Sequence, residues 1–409
     1  MSRSSSSDAV RAEALVSPRA AKRSPLVPIL VLGTFGILCT ETGVIGVLPL
    51  LADLYSVDLA TAGLFVSAFS LAVAISGATL PAALSKMNRK WMMVVVLGLF
   101  VIGNLVFAFA PSFPVALAGR VIPALLHPVY CSAAYALAGA SVVPEDAPKA
   151  AAKVNMGVSA GMVVGVPLAT LVAGVLPVQF VMVAFALVNA ATLIATLLLV
   201  PSMPVKQRTS YFQQISAVKS PVAIVSLAAT TLIQAAIFAT YAYAAEFLAG
   251  AGGVEGALST GVLLAFGLAS LLGNYLGGHM LSRHARATMV VFPLVMIALY
   301  GLLSGSAALL PLFLVAIVLW GVVYGFGNNV QQFVVSTSMP TAPDFANGLF
   351  ISFGNVGITI GTSVGGVIIA SAGVGACPIA SAAFALLSLV FFGARNVLTA
   401  SRRNPAGAC

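Results

Sequence analysis

Apolar runs of about 20 residues, the length a helix needs to cross a hydrocarbon core of about 30 Å, recur from residue 27 to residue 396, separated only by short Gly, Pro or charged breaks. Such runs leave one fold class. A bilayer offers no water to backbone N–H and C=O groups, so each run must satisfy its hydrogen bonds internally as a helix. Twelve runs are read, at 27–52, 59–84, 91–110, 113–140, 150–173, 178–200, 221–247, 257–281, 288–306, 312–336, 346–371 and 377–396, and are numbered here as spans 1 to 12. The spacing therefore predicts an all-α membrane protein of twelve transmembrane helices. Composition agrees, with 60% hydrophobic and 7% charged residues, where a water-soluble globule carries roughly 25% charged residues.

The cations test this count independently, because Lys and Arg collect in cytoplasmic loops. With the N-terminus inside, the tail holds Arg3, Arg11, Arg19, Lys22 and Arg23. The later inner segments hold Lys86, Arg89, Lys90, Lys149, Lys153, Lys206, Arg208, Lys219, Arg283, Arg286, Arg395, Arg402 and Arg403, which leaves Arg120 alone. The outer loops hold Asp53, Asp58, Glu246 and Glu255 and no cation. Both termini are expected to be cytoplasmic. The net charge of +9 then marks orientation in a membrane and implies no nucleic-acid partner.

Residues 1–25 are rich in Ser and Arg, but Asp8 and Glu13 argue against a transit peptide, and the segment is expected to be a disordered cytoplasmic tail. Cys39, Cys131, Cys377 and Cys409 show no metal spacing and read as packing residues. No cofactor or metal is expected. There is no phosphate loop, no HExxH and no nucleophile elbow, so enzyme chemistry has no candidate residues.

The polar segment 201–220 divides six spans from six, giving an N-terminal half at 26–200, a cytoplasmic connection at 201–220, a C-terminal half at 221–398 and a cytoplasmic tail at 399–409. A shift of 197 residues lays Leu84 on Leu281, Ser85 on Ser282, Lys86 on Arg283, Arg89 on Arg286 and Met92 on Met289. Duplicated six-helix halves describe the major facilitator architecture, in which the substrate site lies between the halves. Local motifs strengthen the likeness. GATLPAALSKMNRK at 77–90, repeated as GNYLGGHMLSRHAR at 273–286, resembles motif A of the major facilitator superfamily, and LAGRVIPALLHPVY at 117–130 resembles motif B. TETGVIGVLPLLADLYSV at 40–57 resembles the start of its twelve-span drug and sugar efflux antiporters. Ser85 and Ser282 stand where motif A usually carries an acidic residue. The basic residues of the two loops, Lys86, Arg89, Arg283 and Arg286, are then gating residues or plain determinants of topology.

Span 5 carries Gly157, Gly161 and Gly165 followed by Pro167, and span 11 carries Gly357, Gly361 and Gly365. Glycines four apart share one helix face and let two helices approach closely. The span 5 run resembles motif C of exporters, which implies an antiporter hinge; generic small-residue packing is the alternative.

Glu41 stands alone in span 1. A carboxylate near the middle of a membrane helix costs about 2.5 kcal/mol or more, so it usually faces a cavity or a partner. Counted at 1.5 Å per residue, Glu41 and Arg120 come to the same depth, and spans 1 and 4 line the cavity in the resembled fold. Either the carboxylate carries a proton in exchange for substrate, or the two charges form a static pair. His127 follows Arg120 by about two turns and is a candidate proton relay, or else bonds a backbone carbonyl. Gln234, Asn328, Gln331, Gln332 and Asn355, with Tyr241, are candidates to line a substrate cavity.

The resemblance implies proton-coupled efflux of a small organic molecule such as a drug, sugar or nucleoside, by a monomer in the inner membrane of a bacterium. A facilitator or importer of the same fold is the alternative, and a non-transporting receptor or scaffold a more distant one. The expected partners are the solute, protons and the lipid bilayer.

Overall fold

The computed structural model describes residues 26–77, 79–84, 87–142, 147–203, 220–307, 309–340 and 343–403. The expected tail at 1–25, Ser85, Lys86, most of the 201–220 connection and the last residues of 399–409 lie outside this set.

Among the described residues every regular element is a helix. Eleven are long and apolar enough to cross a membrane. One of these, Gly256–Ser306, runs 51 residues with a single non-helical position, His284, at φ −135° and ψ 43°. The chain reverses there, since Phe266 before the kink and Tyr300 after it both pack on Trp320, with ring centroids 5.2 and 6.4 Å away. Division at His284 yields spans 8 and 9, and twelve spans in all. The loop expected between them is thus a kink, because no Gly or Pro between 279 and 292 stops the helical turns short.

Spans 1 and 4 are each broken inside the bundle. Span 1 runs as Leu26–Gly43, a 3-10 turn at Val44–Val47 and a second helix at Leu48–Tyr55. Pro49 has no N–H to continue the ladder across that turn. Span 4 runs as Phe113–Ala124 and His127–Ala140, with Pro123 and Pro128 on either side of the interruption. Each break brings polar groups to the bundle interior, where irregular backbone is tolerated.

Spans 1 to 6 pack among themselves, span 5 along span 1 and span 6 along span 3, and spans 7 to 12 do likewise, span 11 along span 7 and span 10 along span 8. Span 2 meets span 11, and span 5 meets span 8, across the division. At the end remote from the described termini, Val44–Val47 and Phe65 of the first set share one apolar core with Tyr243, Phe247 and Leu248 of the second. Toward the termini, Leu30, Met93, Phe100 and Val129 form a separate core of the first set, and Leu227, Val335 and Leu349 another of the second.

The two glycine stripes make equivalent seams. Gly161 backs onto span 1 so closely that a Cβ would lie 2.7 Å from the Phe35 carbonyl, and Gly157 and Gly165 meet Val31 and Cys39 likewise. Gly361 backs onto span 7, where a Cβ would lie 2.5 Å from the Ala235 carbonyl, with Gly357 on Thr231 and Gly365 on Ala239. Pro167 lies inside the helix Ala147–Ala173, which continues past it.

Arg395, counted above among the loop cations, is buried inside the last helix, Cys377–Arg403. Its guanidinium donates to Ser226 Oγ of span 7 (3.0 Å), Thr337 Oγ1 of span 10 (2.7 Å) and the Val334 carbonyl (3.4 Å). It ties the ends of three helices together. Arg89 is half-buried, and its N–H bonds the Met203 carbonyl at 3.0 Å, while Lys90 Nζ donates to the Leu197 carbonyl at the end of span 6 at 2.8 Å. Arg283 and Arg286 are exposed on either side of the His284 kink.

Candidate functional site

The end of the first helix of span 1 leaves late carbonyls without the usual donor four residues on. Arg120 supplies that donor. Its Nη1 donates to the Thr40 carbonyl at 2.8 Å, its Nη2 to the Glu41 carbonyl at 2.6 Å, and its Nε to the Phe65 carbonyl of span 2. The guanidinium carbon stands 4.7 Å from the centroid of the Phe69 ring. Arg120 is 3% exposed, so its charge is met by carbonyl dipoles and a ring face.

Thr40 is the hub of the same network. Its hydroxyl donates to the Gly36 carbonyl at 3.0 Å and accepts Asn104 Nδ2 of span 3 at 3.2 Å and Asn189 Nδ2 of span 6 at 3.1 Å. Four helices are thereby fastened to the centre of span 1. Close glycine contact makes this possible, because Gly103 and Gly119, the neighbours of Asn104 and Arg120, cross backbone to backbone; a Cβ on Gly103 would lie 2.3 Å from the Gly119 carbonyl.

The Glu41 carboxylate is left to His127. Oε2 stands 3.5 Å from His127 Nε2, and the two side chains are 13% and 6% exposed. The same nitrogen is 3.5 Å from Cys131 Sγ, one turn along span 4. Among the described residues no ion pair joins the Glu41 and Arg120 side chains. The structure thus gathers Glu41, Arg120 and His127, but the arginine grips the main chain of Glu41 and the histidine faces its carboxylate. Such a pair of buried titratable groups has the chemistry to hold one proton between them or to pass it on.

On the other side of the division, Gln331 Nε2 donates to Gln234 Oε1 at 3.0 Å and to the Gly327 carbonyl at 3.1 Å. Asn355 is buried and donates to the Ile351 carbonyl at 2.9 Å. Asn328 is half-buried and Gln332 exposed. Tyr241 is packed into an aromatic cluster, stacked on Phe266 at 5.1 Å and edge-on to Trp320 at 5.9 Å. Thr40, Asn104 and Asn189 were not singled out in the sequence, although Asn104, like Arg120, directly succeeds a glycine.

The chain resembles known proteins over nearly its whole length. The model of the Major Facilitator Superfamily matches residues 30–343. An uncharacterized MFS-type transporter of Bacillus subtilis, YtbD, is 30% identical over 356 residues, covering 85% of this chain and 89% of YtbD. A probable sugar efflux transporter of Helicobacter acinonychis is 26% identical over 362 residues, covering 86% of this chain and 90% of its own. Among solved structures, a bacterial homolog of the human lysosomal transporter Spinster superimposes with a TM-score of 0.74 at 15% identity, covering 91% of this chain and 96% of that one. Twelve helical spans with polar groups gathered at the broken centre of span 1, and a family match across most of the chain, make this multi-pass membrane protein a member of the Major Facilitator Superfamily, whose members are transporters of small solutes and not enzymes.

Proposed function

We propose that this transporter exports a small organic solute in exchange for protons, with Glu41 as the proton-carrying carboxylate and His127 as its relay. The carrying observation is the 3.5 Å approach of Glu41 Oε2 to His127 Nε2, with His127 buried and Glu41 13% exposed. Arg120 donates to three carbonyls and not to the carboxylate, so no arginine hydrogen bond has to break for Glu41 to change its protonation. Isolated intramembrane carboxylates of this kind mark ion or proton paths. Export as the direction draws support from the Helicobacter relative that is named a sugar efflux transporter.

In this reading the chain is monomeric and lies in the inner membrane of a bacterium with both termini cytoplasmic. The halves at 26–200 and 221–398 rock about the central space, and Arg89, Arg283 and Arg286 lie at the gate. The test is solute-driven proton movement in proteoliposomes. Glu41→Gln is expected to abolish it while purified yield and melting behaviour stay near those of the parent. Full retained coupling in that variant refutes the proposal.

A further inference from the structure

Several buried polar atoms on spans 1, 4, 10 and 11 have no hydrogen-bond partner, among them Glu41 Oε2, His127 Nδ1, Gln331 Oε1, Ser352 Oγ and Asn355 Oδ1. Buried polar groups are ordinarily paired, and a set left unpaired on facing helices calls for a ligand. The two sides meet at Gly77. Ser352, one turn from Asn355, and Pro128, next to His127, both crowd Gly77, where a Cβ would lie 2.5 Å from Ser352 Oγ and 3.6 Å from Pro128 Cγ.

The orientation of the two amides is fixed by chemistry. Gln331 Nε2 faces the Gly327 carbonyl and Asn355 Nδ2 faces the Ile351 carbonyl, and a carbonyl only accepts. Gln331 Oε1 and Asn355 Oδ1 are therefore acceptors that await donors. Charge narrows the ligand further. Among the described residues, Arg120 and Arg395 are the buried arginines, and both are committed to protein acceptors, so neither guanidinium is left for a carboxylate or phosphate. The rings of Tyr241, Phe266 and Trp320 are packed on one another, which fills the faces a lipophilic cation would need.

We propose that Gln331 and Asn355 set specificity for an uncharged solute rich in O–H or N–H donors, of the polyol, sugar or nucleoside class. The assignment rests on the reading of this central space as the transport site.

Binding to the purified full-length protein tests it, by thermal shift and equilibrium titration at fixed pH, with mannitol, glucose, arabinose and adenosine against benzoate and tetraphenylphosphonium. At least one neutral solute is expected to bind, neither ion is expected to compete, and Asn355→Leu and Gln331→Met are expected to weaken binding about tenfold or more. Gln331→Glu, which keeps an acceptor, is expected to retain more binding than Gln331→Met. The proposal is overturned if no neutral solute binds, if only an ion does, or if both apolar variants bind a neutral solute at full strength. No proton moves in this assay. Neutral-solute binding by a protein that fails to exchange protons refutes the antiport and spares this assignment; proton-coupled export of a cation does the reverse.

Discussion

Arg120 Nη2 donates to the main-chain carbonyl of Glu41 at 2.6 Å, so the arginine's hydrogen bond goes to the backbone of the acidic residue and not to its carboxylate. The charge count of span 1 and the geometry of its helix break are served by different side chains. Arg120 caps the break, and His127 attends the carboxylate.

Arg120→Met is accordingly expected to act on stability. It strips donors from three carbonyls in a buried site, at about 1–3 kcal/mol for each group left unpaired. The melting temperature in detergent should fall well below that of Glu41→Gln. Arg120→Lys should rescue little, since one ammonium cannot reproduce the planar fork that spans Thr40 and Glu41. Equal melting of the methionine variant and the parent would contradict this account.

Thr40→Val preserves shape and removes the acceptor shared by Asn104 and Asn189. The expected loss is about 1–3 kcal/mol. Because Asn104 and Thr40 act through one bond, Asn104→Leu added to Thr40→Val should cost less than the sum of the two single changes, as read in a double-mutant cycle.

Gly161→Ala and Gly361→Ala each place a methyl against a carbonyl of the facing helix, Phe35 and Ala235 respectively. Overpacking of this kind costs about 1–3 kcal/mol. Gly354→Ala, on the same span as Gly361 but with nothing within 4 Å of its would-be Cβ, is the matched control and should melt like the parent.

Asp58 caps the first turn of span 2, accepting the Thr61 N–H and hydroxyl, both at 2.8 Å. The Thr61 backbone bond, then its hydroxyl, hold this exposed carboxyl below the usual carboxylate range. A lowered folded value means that the contribution is present above the unfolded value of about 3.9 and fades as pH falls through the lower folded one. Asp58→Ala should therefore melt below the parent at pH 7, and the gap should narrow as the medium is acidified below about pH 4. A gap that widens on acidification would contradict the capping role.

The spans were legible in the sequence because bilayer thickness imposes a length that apolar runs must reach. The depth of Glu41 and Arg120 was legible for the same reason, through the rise of a helix. What each residue touches was not. Thr40, Asn104 and Asn189 are uncharged groups of a kind scattered through many membrane helices, and they become a network only where the Gly103 and Gly119 backbones cross. Arg395 was misplaced because a count of cations by side cannot distinguish a loop arginine from one turned inward at a helix end. The reversal between spans 8 and 9 was legible at 281–288, but its form was not, because a kink of one residue at His284 needs no turn-forming residue to mark it.

The paired glycine seams carry a mechanical consequence. Backbones this close over three successive turns leave little side-chain bulk between them to absorb displacement. Spans 1 and 5 then behave as a single strut, as do spans 7 and 11. Torque applied at the far end of span 5 arrives at Glu41 without lost motion, so a substitution remote from the carboxylate but on that strut can retime its exposure while touching none of its contacts.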